Sequence, residues 1–338
     1  MAVSTSPAAP VHVAAGVIRR VEDGAILLSL RPHAVHQGGL WEFPGGKLEA
    51  HESPLAALAR ELAEELGIRI AGGIPLIRIH HHYPDKHVLL DVLEVRAWEG
   101  RPHGREGQTV RWVAAETLPH YRFPAANQPI VTAARLPSLA LTADFTGADD
   151  VAALASSLER CLAAGLRLLR LALPAPPLPP PLAALLAACR AQRAWCTVAV
   201  DDGGEDPGLA DGVHVSAAQL ARFERRPAAP GRLLSASCRT VADVHRAAAL
   251  GADFVYAEPG PGGGYAEWPA AITAAATMPV FAAGPVRAHQ AGLMRRRGCQ
   301  GIAVSAGSGN GLPSSELVAL TARAVLDAEL SVAPPQSG

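Results

Sequence analysis

The chain has 338 residues, 49% of them hydrophobic, which suggests two domains rather than one of average size. Aromatic residues are only 4%, so the cores must be built mostly from Ala, Leu and Val. A net charge of −1 excludes a global electrostatic pull toward nucleic-acid polymers or anionic membranes. No segment offers 18 uninterrupted apolar residues, so none reads as a membrane span. The start, MAVSTSPAAPVHVAAGV, lacks a charged stretch followed by a long apolar run, so no signal peptide is expected. Five cysteines (Cys161, Cys189, Cys196, Cys238, Cys299) fall in the second half without CxxC spacing. Such an odd, scattered set reads as reduced thiols in a cytoplasmic protein.

In chain order, residues 11–19 and 25–31 read as two strands joined by a polar turn at Glu22-Asp23-Gly24. A Gly38-Gly39 loop leads to a strand-like Trp41-Glu42-Phe43 and a Pro44-Gly45-Gly46 turn. A helix follows. Ser53 is its expected N-cap and Pro54 its first residue, where a missing N–H costs nothing. Leu55, Leu58, Leu62 and Leu66 give it an apolar face, and Gly67 suits the C′ position. Glu61, Glu64 and Glu65 then share the other side at i, i+3 and i+4. Bare like charges at that spacing repel; a solvated acidic face is the plain reading, and a hard divalent cation the chemical one. Strands are expected over residues 76–82, 87–98 and 108–113, and a last helix within 118–136. His80-His81-His82 alternate across a strand and cannot easily converge on one ion, so they read as a partly exposed strand end.

Gly46, Glu52, Arg60-Glu61-Leu62, Glu64-Glu65 and Gly67-Ile68 match the Nudix box at nine defined positions over 23 residues. The chain therefore resembles the Nudix hydrolases, which implies an α+β fold, an α/β/α sandwich, and Mg²⁺-dependent hydrolysis of a nucleoside diphosphate linked to another group. The resemblance extends to the MutT-type 8-oxo-dGTP diphosphatases over roughly residues 10–136. Arg31, eleven residues before Glu42-Phe43, looks like the purine-side arginine. Tyr83-Pro84-Asp85-Lys86 looks like an aromatic-Pro-Asp-basic turn, with Tyr and Lys where Phe and Arg are expected. Arg105-Glu106-Gly107-Gln108 looks like the segment that supplies a further metal or base carboxylate. In Phe123-Pro124-Ala125-Ala126-Asn127, the Asn looks like the reader of the oxidised base.

The implied metal set is Gly45 (through its carbonyl), Glu61, Glu64, Glu65 and Glu106, holding Mg²⁺, with Mn²⁺ as a substitute. The implied catalytic set is Arg60, Glu61, Glu64 and Glu106, with Arg60 as an orienter and either Glu61 or Glu106 as general base. The implied substrate set is Arg31, Glu42, Phe43, Tyr83, Asp85, Lys86, Ala126 and Asn127. An amide such as Asn127 carries a donor and an acceptor, matching the O6 acceptor and N7–H donor of 8-oxoguanine. Capping of the next helix is the alternative use of Asn127, and core packing is the alternative for Phe43 and Tyr83. The implied substrate is a nucleoside triphosphate, cut to the monophosphate and diphosphate, with a role in nucleotide-pool sanitation and DNA repair.

From Ala134-Arg135-Leu136-Pro137 onward, short apolar strands alternate with Ala-rich helices. Eight strands are expected, beginning near residues 139, 167, 197, 212, 232, 253, 279 and 301, which predicts a (β/α)₈ TIM barrel. The expected domains are 1–136 and 137–330, with 331–338 a disordered tail. The second half resembles the thiamine phosphate synthase/TenI family through Asp211-Gly212-Val213-His214, Leu234-Ser235-Ala236-Ser237-Cys238 and Ala282-Ala283-Gly284-Pro285. Gly284, Ser305 and Gly307 are its candidate phosphate-binding positions. The chemistry-bearing positions depart from that family. Arg239 stands where a His is expected, and Glu258-Pro259-Gly260-Pro261 replaces a Thr-rich phosphate loop. Asp202 is left as a lone metal candidate. The expected barrel is therefore degenerate, a ligand-binding or structural module. A second reading makes the first half a hydrolase of thiamine-related diphosphates.

Overall fold

In β1 (Val11–Ile18), Ala14 and Ile18 face one way and Ala15 and Val17 the other, and all four are buried. Both faces of this strand must therefore be covered. The computed structural model describes residues 10–32, 37–84, 86–200, 206, 208–260, 268–306 and 314–330. It divides into two compact units that meet in sequence at Arg135 and Leu136.

After β1 the first unit runs β2 (Ile26–Leu30), β3 (Trp41–Glu42), β4 (Gly45–Lys47), α1 (Pro54–Leu66), β5 (Arg69–Ile70), β6 (Ile74–His82), β7 (His87–Val95), β8 (Trp98–Glu99), β9 (Val110–Val113) and α2 (Gln128–Arg135). The main sheet has the order β4-β1-β7-β6; β1 and β7 are parallel and the other pairs antiparallel. A second sheet has the order β3-β2-β9. Leu58, Leu62 and Leu66 of α1 cluster with Ala14 and Ile18, while Ile130, Val131 and Ala134 of α2 cluster with Ala15 and Val17. This is the α/β/α sandwich. The strand expected over 87–98 stops at Val95. Trp98 leaves the sheet to stack on Trp112 at 5.7 Å, and Trp98–Glu99 pairs with Arg69–Ile70 instead.

Just past β1, Arg19 fastens the second layer. Its Nε donates to Glu94 at 2.7 Å, and its Nη2 donates to the Ala134 carbonyl in the last turn of α2 at 2.5 Å. Arg96 also donates to Glu94, so this buried carboxylate is shared by two guanidinium groups.

The second unit contains β10 (Leu139–Asp144), α3 (Val151–Ala163), β11 (Leu168–Ala172), α4 (Pro180–Ala191), β12 (Trp195–Ala199), β13 (Gly212–Val215), β14 (Leu233–Cys238), α5 (Val241–Ala249), β15 (Phe254–Ala257), α6 (Trp268–Ala275), β16 (Val280–Ala283), α7 (Ala291–Arg296), β17 (Gly301–Ala306) and α8 (Ser315–Leu330). The eight strands close into a barrel of parallel neighbours. Phe254, Tyr256 and Phe281 cluster with Ala140, Ala283 and Ala303, so a few aromatic residues serve a chain otherwise poor in them. The expected helix between β13 and β14 is reduced to a 3₁₀ turn, Leu220–Arg222. All five cysteines are buried and free. The tail 331–338 lies outside the described residues. Among those described, no helix is long and apolar enough to cross a membrane.

Leu62 is fully buried between α1 and the sheet. Leu62→Ala is expected to cost about 2–5 kcal/mol, measured as a fall in the chemical-denaturation midpoint of the first unit.

Candidate active site

The site starts from the ends of α1. Ser53 accepts a hydrogen bond from the Ala56 N–H at 3.2 Å, Pro54 opens the helix, and Gly67 closes it at φ 67°. With the leucines turned inward, Glu61, Glu64 and Glu65 face away from the core. β4 then passes beneath Glu61. A Cβ on Gly46 would lie 2.2 Å from the Glu61 carboxyl carbon, and one on Gly45 would lie 2.1 Å from the Ala14 carbonyl oxygen. Gly45, at φ 145° and against backbone, is required to be glycine, whereas a side chain at Gly46 would displace the Glu61 carboxylate.

Arg60 ties the approach loop to the helix. It donates to both Glu52 oxygens at 3.1 and 3.0 Å, to Glu61 at 2.9 Å, to Glu64 at 3.4 Å and to the Lys47 carbonyl at 3.0 Å. All three guanidinium nitrogens are engaged with protein acceptors. It thus pairs with Glu52 and with the box carboxylates Glu61 and Glu64 at once. The hydrogen bond from Arg60 in turn holds the Glu52 carboxyl below its ordinary pKa.

A strap after β8 closes the other end of α1. The last carbonyls of a helix have no partner within it. Here His103 N–H donates to Leu66 O at 3.1 Å, Arg105 N–H to Glu65 O at 2.8 Å, and Arg105 Nη1 to Ala63 O at 2.8 Å. The arginine also places positive charge at the negative end of the helix dipole. This docking carries Glu106 to the Glu65 side. Burial pushes the Glu65 carboxyl up to about 7, helped by the charges of Glu61, Glu42 and Glu106 and opposed by Arg31.

Among the described residues, no three His, Cys, Asp or Glu side chains already surround one point as a metal cage. Glu61 and Glu64 are instead drawn toward Arg60. The donor set nevertheless fits a hard divalent cation. It is all oxygen, and its crowded negative charge is incompletely neutralised at Glu65.

Beside these carboxylates lies a cleft of about 280 Å³. Arg31, Glu42, Phe43, Gly45, Tyr83, Lys86, Ala126 and Asn127 line it together. Asp85 lies outside the described residues. Arg31 and Glu42 form an ion pair, and burial raises the Glu42 carboxyl against that pairing. Phe43 is both wall and core: it is buried and stacks on Phe123 at 5.4 Å. The Tyr83 hydroxyl accepts from the Ala126 N–H at 3.4 Å, and Lys86 Nζ lies 5.9 Å from the Tyr83 ring centre. The 3₁₀ turn Ala125–Asn127 runs directly into α2, so Asn127 is inside the helical run, not its cap. Its side-chain amide bonds to no other described residue and is available to a ligand.

The sequence reading missed Gln37, Lys47 and the apolar wall of Val11, Val13, Val88 and Leu90. The signal was available. Val11 and Val13 repeat at period two, and in register they neighbour Val88 and Leu90.

In the barrel, Gly284 follows β16 and Ser305 lies in the adjacent β17; Gly307 and Asp202 are outside the described residues. The polar centre is elsewhere. Arg170 donates to Ser237 Oγ at 2.9 Å and to Glu258 Oε1 at 3.3 Å, and sits 3.2 Å from His214 Nε2. Ser237 Oγ donates to Glu258 at 2.5 Å, and Arg239 reaches the other Glu258 oxygen at 3.4 Å. Burial, then the Arg170 charge, pushes the His214 imidazole well down, so it is neutral. Arg170 was overlooked because a single Arg in an apolar strand carries no pattern.

Three comparisons place these features among known proteins. Residues 14–133 match the family model described as NUDIX domain, and residues 208–307 match the one described as Thiamine monophosphate synthase. The 8-oxo-dGTP diphosphatase of Escherichia coli is 38% identical over 120 residues, 36% of this chain and 92% of that protein. The CTP pyrophosphohydrolase of Escherichia coli is 37% identical over 123 residues, 36% of this chain and 90% of that protein. The structure of thiamine phosphate pyrophosphorylase from Pyrococcus furiosus is 18% identical, covers 56% of this chain and 96% of that chain, and has a TM-score of 0.43.

The raised Glu65 carboxyl makes a stability prediction for the protein stripped of divalent cations. Its folded pKa of about 7 exceeds the ordinary 4.5, so protonation favours folding. That contribution is complete below 4.5 and is lost as pH rises through about 7. Glu65→Gln is therefore expected to be more stable than wild type at pH 8 and indistinguishable from it at pH 4, by thermal unfolding in chelator.

Proposed function

The chain belongs to the Nudix hydrolase family, a hydrolase acting on phosphoric anhydrides, and on that premise we propose that it converts 8-oxo-dGTP to 8-oxo-dGMP and diphosphate. The observation that carries this reading is the cleft itself. It sets the free Asn127 amide beside the Arg31–Glu42 pair and next to the α1 carboxylates. Such an enzyme would act in the cytoplasm and clear a miscoding precursor before DNA replication.

The roles follow from charge and hydrogen-bonding capacity. Asn127 donates to O6 and accepts from N7–H of the oxidised base; ordinary guanine leaves one of those partners unmatched. Phe43 and Tyr83 flank the base, and Lys86 and Lys47 add positive charge to the cleft lining. Glu61, Glu64, Glu65, Glu106 and the Gly45 carbonyl would hold the divalent cations. When bound, Mg²⁺ or Mn²⁺ supplies neutralisation of the phosphate oxygens and acidifies an attacking water. Arg60 keeps Glu52 and Glu61 in place, and Glu61 or Glu106 accepts the proton.

Steady-state hydrolysis by the full chain tests this. The expected order is 8-oxo-dGTP well ahead of dGTP, CTP and thiamine diphosphate. Asn127→Ala is expected to lower kcat/KM for 8-oxo-dGTP by about 100-fold while leaving dGTP nearly unchanged. A wild type that prefers CTP, or an Asn127→Ala enzyme with its preference intact, would sink the assignment.

For the barrel we propose a module without synthase chemistry. The supporting observation is Glu258, whose carboxylate already occupies Arg170, Ser237 and Arg239 at the position of the expected phosphate loop. Glu258→Ala should free two guanidinium groups and create binding of inorganic phosphate, seen by calorimetry and absent in wild type. Equal phosphate binding by wild type and variant would contradict it.

A further inference from the structure

Gln108 joins the two halves of the acidic cluster through its own side chain. Its Nε2 donates to the Glu65 main-chain carbonyl at 3.1 Å, and its Oε1 accepts the Glu106 N–H at 2.9 Å. One amide therefore spans two carboxylate-bearing residues 41 positions apart in the sequence, Glu65 at the end of α1 and Glu106 in the strap. The arrangement is built for that residue. A Cβ on Gly104 would lie 1.9 Å from the Gln108 carbonyl oxygen and 2.9 Å from Gln108 Oε1. A Cβ on Gly67 would lie 2.8 Å from His103 Cε1, so the helix end is bare where the strap crosses it.

We propose that Gln108 is the positioning residue of the site: its amide fixes Glu106 against Glu65 and so sets the geometry in which the two carboxylates together hold a divalent cation. This rests on the reading above that Glu106 and Glu65 belong to the metal-holding set. The other strap contacts do not substitute for it. His103 and Arg105 dock the strap on the helix, but among the described residues only Gln108 engages the Glu106 backbone. Glu106 itself is exposed, and a carboxylate on an exposed loop has no fixed place without such a tether. Gln supplies both a donor and an acceptor at one amide, which neither Glu nor Leu can do.

The test compares wild type, Gln108→Leu, Glu106→Gln and the double variant of the full chain. Gln108→Leu keeps the side-chain volume and removes both hydrogen bonds. Mn²⁺ affinity by calorimetry should weaken about tenfold, as for loss of an outer partner of a metal ligand. In the Glu106→Gln background the same change should cost almost nothing, because there is no ligand left to position. Without metal, the Glu106 amide should exchange faster in Gln108→Leu than in wild type by NMR. Unchanged Mn²⁺ affinity in Gln108→Leu, an undiminished penalty in the double variant, or an equally protected Glu106 amide overturns the proposal. If Glu106→Gln alone leaves Mn²⁺ affinity unchanged, the placement of Glu106 in the metal set falls, and this proposal with it.

Discussion

Like charges gathered on one side of α1 are the constraint around which the first unit is built. Glu61, Glu64 and Glu65 repel one another, and Glu42 and Glu106 add to the field at Glu65. Each like-charge pair at helical spacing costs about 0.2–0.5 kcal/mol. Burying a leucine contributes about 1.5–3 kcal/mol. Leu58, Leu62 and Leu66 are all fully buried on the opposite side, so the apolar face holds the helix in place despite the charges. The repulsion is then available as a standing demand for positive charge.

That demand is met unequally. Arg60 satisfies Glu52 and Glu61 and draws in Glu64. Glu65, among the described residues, is opposed by the charge of Arg31, which is already paired with Glu42. One side of the helix is thus neutralised by protein, while at Glu65 the negative charge is incompletely opposed. Gly45 and Gly46 add a steric element, because Gly45 packs against the β1 backbone and a side chain at Gly46 would push the Glu61 carboxylate from its place.

The barrel solves its polar problem internally. Arg170, His214, Ser235, Ser237 and Glu258 satisfy one another near the strand ends where barrel folds place their sites. A guanidinium held by an internal carboxylate is not free for an anion. The two units carry opposite designs: an acidic cluster left open in the first, and a charged group closed on itself in the second.

Local patterns were legible in the chain. Short apolar runs between turn signals marked the strands of both units, helical leucine spacing and the Ser53-Pro54 and Gly67 signals marked α1, and the i, i+3, i+4 spacing marked the acidic face, because each depends on residues within a few turns of one another. Most of the cleft lining was named as well, although Lys47 and the valine wall were not. What the sequence could not decide were contacts across long separations. The Glu258 lock on Arg170, the Arg19 clamp on α2 and the Gln108 tether each join residues that share no local pattern. Nor could it decide that Arg60 would spend all its donors on the protein while the Asn127 amide stayed free. The linear order determined which groups are present and which way each element turns. Closure of the sandwich and the barrel decided which of them are neutralised, since hydrogen bonds and charge pairs depend on distance in space.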